Sequence, residues 1–225
     1  MKVFESALAI KQKLVEANPT VTQFQSDLAL SHHNIGALLC ETGKATEGLK
    51  ALELALVIRR RLADANPAVT WLLNEVAATH FNIGEVLQTN GKPAGASKAF
   101  ESALEIQQKL AREHPESAGY ANGLGGTLNG LALIDLEAGR YQEARVRLRE
   151  ALEWLRKALT TYPTNPTHRR FLANALANMI RAAQGLGDSE GVAEAERELA
   201  KLRESDPAMV ALDGPNPTLA TPAAK

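Results

Sequence analysis

The chain has 225 residues, 45% hydrophobic and 23% charged, and its 25 basic and 26 acidic residues leave a formal net charge of -1. That balance excludes the Lys/Arg excess of a general nucleic-acid binder and the acidic, apolar-poor composition of a disordered chain. A single cysteine, Cys40, excludes an internal disulfide framework and any Cys-x-x-Cys metal or redox motif, and suits a reducing compartment such as the cytoplasm.

Pro19, Pro67, Pro115 and Pro163 share one register and Gly43, Gly91, Gly139 and Gly187 another, both with a spacing of 48 residues. A fixed period of this size is the signature of stacked copies of one supersecondary unit. Residues 1–14 interleave charges with apolar residues, so no signal peptide is predicted, and no later run reaches the ~18 apolar residues of a membrane span. Residues 4–14 (FESALAIKQKL) match residues 100–110 (FESALEIQQKL) at nine of eleven positions. The chain is therefore expected to open on an orphan second helix, over 2–17. Its stripe of Phe4, Ala7, Leu8 and Leu14 would be an open edge, suited to a missing segment, a partner chain or self-association.

From 22 to 42, Leu28, Ile35, Gly36 and Leu39 paint one stripe on a helix, and Val76, Ile83, Gly84 and Leu87 repeat it. Gly43 closes this helix, since glycine accepts the left-handed conformation that follows a helix C-terminus. A second helix, about 45–65, turns Leu52, Ala55, Leu56 and Leu62 inward and stops before Asn66-Pro67. The same reading gives hairpins at about 21–65, 69–113, 117–161 and 165–204. The architecture expected is all-α, a right-handed solenoid of antiparallel helical hairpins. The glycines at 119, 123, 125, 126 and 130 fit no phosphate-loop pattern. They mark either a close approach of helices or a locally weakened helix with fast amide exchange. Beyond 204 the periodicity ends, and 205–225, with Pro215, Pro217 and Pro222, reads as a disordered tail.

These residues resemble the tetratricopeptide repeat. The signature of the first helix stands at Ile35-Gly36, Leu39 and Gly43, and at Ile83-Gly84, Leu87 and Gly91. That of the second stands at Gly48, Leu52 and Ala55, at Ala96, Phe100 and Ala103, and at Ala144, Leu148 and Ala151. The unit is longer than the usual 34 residues, and looks most like the long-unit arrays of certain bacterial proteins, some of which carry a serine/threonine kinase domain ahead of the repeats. The segments 124–129 and 165–174 look like the closing units of such arrays. The resemblance implies a non-catalytic scaffold that binds a protein or peptide on its concave face. The alternative it raises is a C-terminal regulatory or docking region of a larger signalling enzyme.

Asn34, Asn82 and Asn178 recur at one repeat position, with Gly130 breaking the series and Asn129 one place earlier. Asparagine is a poor helix-interior residue, so it serves either as a ladder of amides toward an extended peptide or as a bond between neighbouring helices. In the family, one groove grips terminal carboxylates with Lys, Arg and Asn, and the matching positions here are His33 and Ala37, Phe81 and Glu85, Asn129 and Leu133, Ala177 and Arg181. That clamp is absent. A mixed groove is expected instead, with Phe81, Leu133 and Leu136 as apolar contacts and Glu85, Gln88, Arg181 and Gln184 as polar ones. His32 and His80 read as packed histidines. His33 and Cys40 share a helix face but lack a ligand motif, so no metal or cofactor is expected. Arg59-Arg60-Arg61 and Arg145, Arg147 and Arg149 read as solvated helix faces, and without interleaved aromatics no nucleic-acid partner is expected. No H-E-x-x-H, G-x-S-x-G, H-R-D or D-F-G is present, and no enzymatic activity is expected.

Overall fold

The computed structural model describes residues 2–205, and the tail read as disordered lies outside them apart from Ser205. Nine helices and no strand occur among the described residues: α1 (Lys2–Ala17), α2 (Thr22–Glu41), α3 (Ala45–Ala65), α4 (Thr70–Thr89), α5 (Pro93–Glu113), α6 (Ala118–Glu137), α7 (Tyr141–Thr161), α8 (Pro166–Gly185) and α9 (Ser189–Glu204). The fold class is thus all-α, of tetratricopeptide type.

Every hairpin turn is built the same way. Gly43, Gly91, Gly139 and Gly187 have φ of 81°, 67°, 73° and 69°, the left-handed region a side chain would strain. The next residue then bonds back over the helix end: Lys44 to the Leu39 carbonyl at 2.8 Å, Lys92 to Leu87 at 2.9 Å, Arg140 to Asp135 at 2.8 Å and Asp188 to Ala183 at 2.9 Å. This is a Schellman closure, which satisfies carbonyls the helix leaves unpaired. Helix starts are more varied. Asn165 Oδ1 accepts from the amides of Thr167 and His168, with Pro166 at the first helical position, and Asp188 caps Gly191.

The chain divides into two compact units, one reaching to Ile106 and the other starting at Gln107, within α5. In the first, Leu8 of α1 packs on Ile35, Leu39 and Ala51. Leu52, Ile83, Val86 and Ala99 form a second cluster, and Leu62, Ala63, Leu72 and Val76 a third that receives Ile106. Phe100 lies 5.7 Å from Phe81, ring to ring, and fills the space a Cβ would need at Gly84, 2.6 Å away.

In the second unit α6 is the most thoroughly buried helix, from Ala118 through Leu136. Its glycines divide by role. A Cβ on Gly125 would lie 2.5 Å from Leu155 Cγ and 2.9 Å from the Ala151 carbonyl, whereas at Gly119 it would meet only Ser117 Oγ, 3.9 Å away. Close approach of α7 to α6 therefore accounts for Gly125.

Candidate functional site

The first unit holds a buried polar network centred on Arg59, 3% exposed. Its guanidinium forms an ion pair with Glu75 of α4 and donates to Thr79 Oγ1 at 2.6 Å, to the Glu75 carbonyl at 3.3 Å and to His33 Nδ1 at 3.1 Å. The Thr79 hydroxyl passes its own proton to the Glu75 carbonyl at 2.7 Å. On the other side of the His33 ring the Asn82 amide faces Nε2 at 3.0 Å. Because Arg59 donates to Nδ1, the imidazole carries its proton on Nε2, and Asn82 meets it with its carbonyl oxygen. Burial works against both charges, lowering the Arg59 pKa and raising that of Glu75, and each partner opposes the shift of the other.

This corrects two sequence expectations. Arg59 is not on a solvated face, and of the arginine run only Arg60 and Arg61 are exposed. His33, expected to face a ligand, is 1% exposed and held within the core. A signal for Arg59 existed in the repeat register, where Lys11, Arg59, Gln107 and Leu155 stand 48 residues apart. Each meets the helix that follows. Lys11 donates to Ser31 Oγ at 2.8 Å and the Asp27 carbonyl at 3.2 Å, Gln107 Nε2 lies 3.0 Å from the position of a Gly123 Cβ, and Leu155 is fully buried.

The recurrent amides bond neighbouring helices. Asn82 reaches His33, and Asn178 Nδ2 donates to Asn129 Oδ1 at 3.0 Å, each across 49 residues. Where the earlier residue is Phe81, which has no polar atom to offer, the later position is Gly130. Phe81 and Asn82 are 7% and 1% exposed, so neither is a groove contact. Asn34, Glu85, Gln88 and Asn129 are half-buried, and Arg181 is exposed.

In the second unit Leu136, Tyr141, Arg181, Gln184 and Gly185 line a cleft of about 390 Å³. Tyr141 opens α7 directly after the Gly139 turn, and its ring occupies the place a Gly185 side chain would take. Arg181 donates through Nη1 to Asn178 Oδ1 at 3.2 Å, which ties its direction to the Asn178–Asn129 rung. Its is the only charged side chain in the lining. A guanidinium so placed can take a carboxylate bidentately. The other arginines are engaged: Arg147 and Arg140 with Asp135, and Arg145 with Asp188.

His80 accepts from Arg60 Nη2 at 2.7 Å, an arrangement only the neutral ring allows. Burial, and then the Arg60 charge, hold its pKa down to about 4 from the usual 6.5; burial also lowers those of His32 and His168. Between those limits the unfolded chain binds protons that the folded chain refuses, so stability falls as pH falls. Glu75, whose pKa is raised, contributes with the opposite sign just above the usual carboxylate range. Thermal melts are expected to drop by several degrees from pH 7 to pH 5, and by less in His80→Leu. An equal drop in that variant would remove His80 from the account.

Sequence models described as tetratricopeptide repeat match residues 27–109 and 124–160. No curated protein matches the chain. Among solved structures, BtubC (BKLC) from P. vanneervenii is similar at 18% identity, covering 99% of this chain and 80% of its own, with a TM-score of 0.65. A Podosopora anserina kinesin light chain with nearly identical TPR-like repeats aligns at 20% identity over 91% of this chain and 86% of that one, with a TM-score of 0.48. Among the described residues no helix is long and apolar enough to cross a membrane.

Proposed function

The chain is built of tetratricopeptide repeats, and from that premise we propose that it is a non-catalytic scaffold that holds an extended protein segment on its concave face, with an acidic side chain or terminal carboxylate taken by Arg181. The observation that carries this reading is the cleft beside Arg181. Its one charge is positive, the guanidinium is oriented by a buried amide rung, and Tyr141 and Leu136 supply an aromatic and an aliphatic wall. Arg is the side chain best suited to planar recognition of a carboxylate. Half-buried Asn34, Glu85, Gln88 and Asn129 are further candidate contacts, whereas His33, Phe81, Asn82 and the buried amide of Asn178 support them from behind.

Selection of displayed random peptides against the purified chain tests this directly. Enriched sequences should carry Asp, Glu or a free C-terminus, and Arg181→Ala should weaken their binding about tenfold or more, the worth of a charge-assisted pair. Retention of full affinity in Arg181→Ala, with the fold intact, would overturn the assignment. Replacing Phe81 or Asn82 would be uninformative, since both changes damage the core.

A further inference from the structure

The strongest unassigned surface is the outer face of α1. Ile10 is 62% exposed and Leu14 40%, and Ala7 is exposed with them. The chain itself shows what such a face accepts. Residues 100–110 of α5 nearly repeat residues 4–14 of α1, and on α5 the equivalent residues are covered. Ala103 and Leu110 are fully buried, Ile106 packs on Leu62, Leu72 and Val76, and the Phe100 ring fills the notch at Gly84 of α4. The inner sides of the two helices correspond as well, since Leu8 packs on Ile35 and Leu39 of α2.

A second and independent observation lies on α2. Asn34 occupies the position at which Asn82 and Asn178 each bond a residue of the preceding first-type helix. Its Oδ1 is buried without a hydrogen-bond partner, a state that buried acceptors rarely keep. An apolar stripe on α1 and an unmet acceptor on α2 thus stand where one further helix would meet both.

We infer that the α1–α2 edge is a docking site for an amphipathic helix of a partner protein, patterned like α4: aliphatic residues toward Ile10 and Leu14, a glycine at the register of Phe4, and a polar donor toward Asn34. This is helix-in-groove recognition, distinct from the peptide cleft near Arg181.

The probe is a fluorescein-labelled peptide of this chain's own residues 66–92, titrated with the full chain. Saturable binding accompanied by gain of helicity is expected. A peptide carrying Gly84→Leu should bind at least tenfold more weakly, because its side chain would occupy the notch. The chain variant Ile10→Glu/Leu14→Glu should lose binding to the same extent, while its melting temperature, set by residues elsewhere, stays within a few degrees. Absence of saturable binding, or equal binding by the Gly84→Leu peptide, would overturn the proposal. So would dimerisation of the chain in sedimentation that Ile10→Glu/Leu14→Glu abolishes, since a second copy would then be the occupant.

Discussion

Replacing Arg59 by alanine is expected to destabilise the chain by about 3–5 kcal/mol, the cost of breaking a buried ion pair from one side. Glu75 would keep a carboxylate in a site from which water is largely withdrawn, and Thr79 and His33 would lose a donor each. An unmade buried bond costs more than a made one contributes. Urea unfolding at pH 7 measures the effect, and a loss below about 1 kcal/mol, the range of an exposed pair, would show the network to be dispensable. Arg59→Leu/Glu75→Phe should recover much of the loss. Leu155 and Phe171 stand at the same two register positions in the last hairpin and are buried without any charge.

The second large effect separates two glycines of α6. Gly125→Ala places a methyl group against Leu155 Cγ and the Ala151 carbonyl. Overpacking of this kind costs about 1–3 kcal/mol, more than the ~1 kcal/mol that alanine returns as a helix former. Gly119→Ala adds its methyl to open space on an exposed first turn and should stabilise by a few tenths up to about 1 kcal/mol. Opposite signs in thermal melts of the two variants are the expected result. Equal stabilisation by both would favour a locally weak helix, the other reading of this glycine cluster, and hydrogen exchange across 119–130 would then be fast.

The hairpins were legible in the sequence because backbone punctuation is local. A glycine at positive φ and a proline past a helix end act through sterics that no tertiary contact needs to supply, and all four glycines adopt that conformation. The site was less legible because facing is a tertiary property. Asn82 and Phe81 lie side by side in α4, and nothing in their types says that both turn inward. Arg59, flanked by two exposed arginines, was hidden by its neighbours' chemistry. Only its register with buried Leu155 identifies it as interior. The cleft at Arg181 was half visible: Leu136, Arg181 and Gln184 could be grouped by repeat position, but Tyr141 and Gly185 meet through a packing contact between different helices.

The four interior positions Lys11, Arg59, Gln107 and Leu155 give each hairpin junction its own chemistry: ammonium to hydroxyl, guanidinium to carboxylate, carboxamide beside a glycine, and hydrocarbon. Hairpins this alike in backbone could exchange places during folding, a known hazard of repetitive chains. A cationic junction set against the hydrocarbon one would strand a charge at a cost of several kcal/mol. The graded junctions therefore act as addresses, and assembly in the wrong order is penalised at the first misplaced joint.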